Sequence, residues 1–580
     1  MPSWILALFI FLIVVIRFLG LELSPPGFFL DEAAGASNIL CLIQDGKDFH
    51  GQSWPLFSAA FEEAGFYTPV YLYGQYLWSH LVGNSIAGFR SFSAVINALT
   101  ICLLFDLTRI KIGLKAGLWV ALSAAIMPWS FQLSRIAWDP PLAAFFLVAF
   151  IWMVNISKVF WLSPLALSLA LYSYSPTRIA APLVLLFLPG ISLQRKIALG
   201  SLTVMLCIPL AIYMRNPQFM ERANTVAIWS SAFDNPYAHY SLIEFGQLFL
   251  NQYLEHFSFN FLFASGDINL RHSSHFSGML SWYDALGILG ALAIPLVSIA
   301  KLNNGNLTDS QKYLFKIALV GILAGMIPAA LTRDGIPHAL RSITAWPFFA
   351  LLVGISINYW LNVFKSKKIE WAVFGTAAIF CLFYLIHYFE YYPKLAEKAF
   401  ELQPRAEREP IADAYRRIEN GSSCDDIRQE KNIRTFSPTV IGKSINFGLN
   451  GNGTAFLRDS WQMQEMWGLW SRGASSSIEV PLPVDVNAIH SFNIFIKPFI
   501  SLRNPEQTIE VFVNQRLYTT LYLNKGQDYH LAIDLSDSDK QKKAIKVKFK
   551  YQNAVSPNKI DAQSNDARVI ALGLISASFQ

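Results

Sequence analysis

Long apolar runs recur from the first residues of the chain to about residue 389, and they leave few folds open. A bilayer core takes roughly 20 apolar residues per helix, because a helix satisfies its own backbone where no water can. Runs near that length fall at 5–21, 86–107, 114–131, 140–157, 159–174, 179–193, 197–214, 280–299, 314–331, 343–362 and 371–389. The spacing predicts a multi-pass α-helical membrane protein with about eleven transmembrane helices. With 53% apolar and only 15% charged residues, the composition excludes an ordinary soluble chain.

Charge orients these spans. Arg109, Lys111, Lys115, Lys158, Arg195, Lys196, Lys301, Lys312, Lys316, Lys365, Lys367 and Lys368 fall in even-numbered turns or, for Lys115 and Lys316, in the first residues of the span that follows one. By the positive-inside rule those turns are cytoplasmic. The N-terminus is then inside a cytoplasmic (inner) membrane, and the odd-numbered loops and the tail after Phe389 are periplasmic or extracellular. The net charge of +6 is not gathered into a basic stripe, so no nucleic-acid partner is expected. The first run lacks a small-residue cleavage site and reads as a retained anchor. Five cysteines, three of them within spans, show no paired spacing, so neither a disulfide framework nor a zinc motif is predicted.

The outer loops carry the chemistry. Asp31 and Glu32 follow the first span by a few residues, where ionised groups next to hydrocarbon are costly unless used. Asp31 is placed to begin a helix, small residues follow it, and Gly46 is a natural stop. The bland reading of the pair is a helix cap at the interface. Loop one continues with many Tyr, Trp and Phe over 54–73, which predicts one or two short helices lying along the outer surface; a twelfth span at 67–82 is the competing reading. Further polar clusters lie at 128–139, 171–178, 265–275 and 332–342. All of them fall on the side opposite the basic turns, which points to one shared polar cavity at the outer interface.

Beyond residue 390 the pattern changes. Residues 390–430 read as amphipathic linker helices, and 431–580 as an all-β sandwich on the outer face. Period-two alternation at 477–480, 492–496, 508–513, 531–535 and 544–549 carries that reading.

Several motifs, in this order, resemble a known family. They are Asp31-Glu32, Gly46-Lys47-Asp48 with Trp54-Pro55-Leu56, Ser134-Arg135-Ile136-Ala137, Leu171-Tyr172-Ser173-Tyr174 with Arg178, Ser265-Gly266-Asp267 with Arg271-His272-Ser273, and His338-Ala339-Leu340-Arg341-Ser342. Over roughly residues 5–389 the chain resembles GT-C superfamily membrane glycosyltransferases, in the bacterial branch related to protein O-mannosyltransferases and aminoarabinose transferases. The stretch Trp467-Gly468-Leu469-Trp470-Ser471-Arg472-Gly473 resembles a sandwich module appended to some of these enzymes. The resemblance implies an inverting glycosyltransferase that moves a sugar from a polyprenyl-phosphate donor to a hydroxyl of a lipid, glycan or protein acceptor at the outer face. It also implies Asp31 as general base. Many relatives carry an acid and Lys-Pro-Pro in loop one, where this chain has Gly65-Phe66-Tyr67-Thr68-Pro69. Glu62 and Glu63 are the nearest acids, and with Tyr67 they form a possible acceptor or loop site.

The residue inventory suits such a transfer. A phosphate leaves as a stable anion, so one base and several fixed cations suffice. A hydrolytic glycosidase wants two facing carboxylates, whereas neighbours on a helix point about 100° apart. Asp31 is therefore expected as catalytic base, with Glu32 steadying the loop. Arg271 and Arg341, with Arg135 and Arg178 behind them, match phosphate oxygens as guanidinium forks; the alternative for each is a snorkelling side chain at a span end. His272 and His338 donate to phosphate or sugar, or are ordinary interface histidines. No cofactor is expected. Glu63, His256, His272 and His275 could together gather a divalent ion, but no ligand spacing supports one, so no metal is required. Two other functions use the same features: a transporter or flippase of a lipid-linked sugar, and a non-catalytic anchor for a sugar-binding domain.

Overall fold

Each of the eleven apolar runs falls on helix in whole or in part, but the helices differ in length. The computed structural model describes residues 1–60, 65–230, 237, 240–299, 307–401, 410–428, 439–449, 451–458, 461–542, 544–560 and 568–580. The described residues form two compact units, one within Met1–Ser230 and Tyr237–Cys424 and the other within Asp425–Gln580.

The first unit opens with α1 (Ser3–Ile16) and α2 (Leu30–Asp45), then a small hairpin of β1 (Ser58–Ala59) and β2 (Phe66–Tyr67). There follow α3 (Pro69–Val82), α4 (Ile86–Lys111), α5 (Leu114–Ile126), α6 (Pro128–Leu133), α7 (Pro140–Val154), α8 (Ser163–Ser173) and α9 (Thr177–Phe187). Next come α10 (Leu193–Leu206), α11 (Ile208–Tyr213), α12 (Pro217–Val226), α13 (Leu242–Glu255), α14 (Trp282–Ile299) and α15 (Asp309–Ala330). The unit closes with α16 (Trp346–Phe364), α17 (Lys367–Ile386), α18 (Tyr392–Phe400) and α19 (Pro410–Glu419).

Among the described residues, four helical stretches are long and apolar enough to cross a membrane: Ile86–Lys111, Asp309–Ala330, Ile343–Phe364 and Lys367–Phe400. Prolines account for part of the shortening elsewhere. Pro128 starts a new helix where the third run was expected to continue, and Pro209 separates α10 from α11 within the seventh. The aromatic half of loop one forms a single helix, α3, after the hairpin.

At the centre sits α16, buried from Trp346 through Tyr359. Gly354 lets it close on α5: a Cβ there would lie 2.4 Å from the Val120 backbone. Outward faces are apolar instead, with Phe11 61%, Leu289 64%, Leu292 65% and Val204 68% exposed. So much exposed aliphatic surface fits a lipid-facing wall.

The helices after residue 390 belong to this first unit rather than to a separate linker. Helix α19 packs on α2, and Cys41 in α2 is disulfide-bonded to Cys424. That corrects the expectation of no disulfide: the three cysteines in spans stay free, and the remaining two pair.

The second unit is a two-sheet β structure. It comprises β3 (Ile445–Asn446), β4 (Trp461–Glu465), β5 (Gly468–Ser471), β6 (Ser475–Pro481), β7 (Ser491–Pro498), β8 (Gln507–Val513), β9 (Arg516–Leu523), β10 (Tyr529–Asp534), β11 (Ala544–Tyr551) and β12 (Leu572–Phe579). One sheet runs β10-β7-β12-β5-β4 with β3 on β12; the other runs β6-β11-β8-β9, and every pairing is antiparallel. In β11 the inward residues Ile545, Val547, Phe549 and Tyr551 alternate with outward lysines, the period that marked this strand in the sequence.

Candidate functional site

The site is built from the start of α2. Leu30 is its first residue, so Asp31 stands in the first turn with an exposed side chain. Gly46 ends the helix in the left-handed region at φ 73. The Tyr67 hydroxyl donates to the Asp31 carbonyl at 2.6 Å, and its ring rests against Gly35. Burial raises the Tyr67 phenol well above its ordinary range, with Asp31 adding to the rise. Tyr67 is thus a neutral brace under the helix start. Glu62 and Glu63 lie outside the described residues.

Glu32 points inward. Its side chain is fully buried and meets Arg90 of α4 twice, Nε to Oε1 at 2.8 Å and Nη2 to Oε2 at 2.7 Å. The same carboxylate accepts from the Ala137 amide at 2.8 Å and the Phe29 amide at 3.3 Å. Arg90 also donates to the carbonyls of Leu21, Pro25 and Gly27. One ion pair therefore ties together the end of the first apolar run, the start of α2, α4 and the loop before α7. Both oxygens of Glu32 are thus committed to holding this junction rather than to the reaction.

Two residues beyond Ala137 stands Asp139, at the start of α7. Burial pushes its carboxyl up to about 7; the Asp31 carboxylate adds to the rise, and the Arg178 guanidinium opposes it. The site thus holds a second carboxylate, which sequence reasoning left out. Arg178 lies over the Phe219 ring and donates from Nε to the Leu171 carbonyl at 3.4 Å. Arg271 lies over Phe29, 5.0 Å from the ring centroid, next to the first turn of α2.

Arg135 is a correction. It is fully buried, and its guanidinium donates to the carbonyls of Ile16, Arg17, Leu19, Gly20 and Ser24. It caps the C-terminal end of α1, where helix carbonyls lack partners, rather than meeting a phosphate. Arg17 does similar work, donating to Ala124, Ala125 and Ser130 carbonyls from a fully buried position. Arg341 is engaged as well, its Nη1 pairing with Asp334 at 3.0 Å and meeting Thr332. A cation inside an apolar run was the available signal for Arg17 and Arg90; their partners, far off in sequence, were not readable.

The two histidines converge on Asp267. His272 Nδ1 meets Asp267 Oδ2 at 2.9 Å, the Ala339 amide donates to the same oxygen, and the His338 Nδ1 is 3.9 Å away. Burial by itself raises the Asp267 carboxyl, but the His272 hydrogen bond and the two imidazoles hold it below its ordinary range. Burial holds His338 well below its usual value, reinforced by His272 and Arg341. His256 accepts from the His338 amide, and burial lowers it to about 4. The ligand atoms of Asp267, His272 and His338 lie within 4.8 Å of one another, so among the described residues this trio has metal-compatible spacing. Those atoms already bond to one another and to nearby amides, Arg341 N meeting His338 Nδ1 at 3.3 Å. The cluster joins the Asp31 region through rings: Trp138 packs on His272 and edge-on to Phe29.

The fold and this site define a helical membrane protein with carboxylates, arginines and histidines gathered where its helices begin and end. Among solved structures, ArnT from Cupriavidus metallidurans bound to undecaprenyl phosphate is similar at a TM-score of 0.41 and 13% identity, over 78% of this chain and 84% of that one. The Archaeoglobus fulgidus oligosaccharyltransferase tethered to an acceptor peptide is similar at 0.36 and 12%, over 69% of this chain and 56% of that one. Both likenesses are partial. No protein-family profile and no curated protein sequence matches the chain.

Proposed function

We propose that the chain is an inverting glycosyltransferase taking its sugar from a polyprenyl-phosphate donor. The observation that carries the reading is the exposed Asp31 carboxylate on a helix start held by a buried ion pair, close enough to Asp139 to raise it, with Arg178 acting on Asp139 and Arg271 over Phe29. In the transfer, the acceptor hydroxyl gives its proton to Asp31 as its oxygen bonds to the anomeric carbon. The bond from that carbon to the phosphate oxygen breaks, and its electrons leave with the lipid phosphate. Arg178 and Arg271 steady the developing anion, and His272, oriented by Asp267, presents its Nε2 toward the donor. Asp139 carries its proton below neutrality, limiting the negative charge that meets a phosphate.

The outer face is the side this reading needs. The Cys41–Cys424 disulfide supports it, because disulfides persist in oxidising compartments and α2 carries both Cys41 and Asp31. Purified protein in vesicles, supplied with labelled polyprenyl-phosphate sugars and a hydroxyl acceptor, tests the proposal. Transfer of label to the acceptor is expected. Label crossing the bilayer without transfer would mean a flippase, and neither outcome would leave a binding anchor.

A further inference from the structure

At the end of the bundle away from Asp31 lies a cavity of about 740 Å³ that the transfer does not use. The start of α1, the first turns of α5, the last turns of α16 and the first turn of α17 line it. Those are the opposite ends from the ones leading into Asp31, the 128–139 segment and His338. Lys115, Lys365 and Lys367 bring three ammonium groups to its wall, against one carboxylate, Glu370. Glu370 is taken by Lys115 at 3.2 Å and by the Met1 amine at 2.5 Å. Lys365 and Lys367 show no ion pair among the described residues, and only Ser366 separates α16 from α17 between them.

The rest of the lining is that of a lipid interface. Trp371 is 43% exposed, the adjacent Phe364 is 53% exposed, and Asn358 and Asn362 offer amides. Indoles at headgroup depth beside unpaired amines between apolar helices suit a phosphate at the end of an acyl chain. We infer that this cavity binds the phosphate of an anionic lipid headgroup, on the membrane face opposite the transfer site.

The probe is phosphatidylglycerol against phosphatidylcholine, with lipid retained by the detergent-purified full chain counted by native mass spectrometry. Phosphatidylglycerol should be preferred, and Lys365→Gln with Lys367→Gln should weaken it about thirtyfold, about fivefold per ammonium near a membrane surface. Lys365→Arg with Lys367→Arg should restore it. Equal retention of the two lipids, or a neutral pair that binds like the parent, would overturn the inference. Excess inorganic phosphate separates the sources. Competition that only reduces phosphatidylglycerol binding supports the headgroup, whereas lysine-dependent phosphate binding without lipid preference overturns the lipid assignment. If the neutral pair does not yield monodisperse protein, Lys367→Gln alone, with its about fivefold loss, decides by the same criteria.

Discussion

Arg90 and Glu32, 58 residues apart, meet at two points with neither side chain exposed to solvent. Removing one partner strands a charge in the interior, which costs about 3 to 5 kcal/mol. Arg90→Met should therefore lower the unfolding temperature sharply in detergent. Glu32→Gln combined with Arg90→Met should recover part of the loss, since no bare charge remains. A single Arg90→Met protein as stable as the parent would show the pair to be dispensable.

Asp31→Asn separates chemistry from folding. The side chain is exposed and the helix start is held by Tyr67 and Glu32, so stability should change little. Transfer from the labelled donor should fall by about 10² to 10⁴, the usual worth of a positioned base. Retention of near-normal turnover would remove Asp31 from the mechanism.

The carboxyl of Asp139, at about 7, sits above its unfolded value of about 4. Between those values the folded state binds more protons than the unfolded one, so this residue costs stability as pH rises through that window. Asp139→Asn should accordingly gain on the parent as pH increases from about 4 to about 7 and hold that gain above it. Asp31→Asn should move the midpoint downward by removing the like charge. Thermal melts across pH measure both.

Arg135 and Arg178 should part company on substitution. Arg135→Gln gives up donors to five carbonyls near the end of α1 and should lower the melting temperature. Arg178→Gln, on a half-buried side chain beside Asp139, should instead raise KM for the donor with little change in melting. Reversed effects would exchange their roles.

Breaking the Cys41–Cys424 link by Cys424→Ser releases a constraint across 383 residues. The expected loss is about 2 to 4 kcal/mol, read as a lower melting temperature that reductant reproduces in the parent and leaves unchanged in the variant.

Sequence alone determined what depends on neighbours along the chain. Apolar runs placed the helices, alternation at 544–549 placed β11, and Gly46 ended α2 because a left-handed residue there suits glycine. Backbone hydrogen bonding and periodic burial are local, so their signals are written in consecutive residues. Tertiary structure decided which charges are spent. Arg135 and Arg178 look alike in sequence, yet one is consumed by carbonyls of α1 and its following turn while the other stays beside Asp139. The pairings of Glu32 with Arg90 and of Cys41 with Cys424 were equally hidden. A buried polar group must find its partner wherever packing brings one, and packing joins residues that the chain keeps far apart.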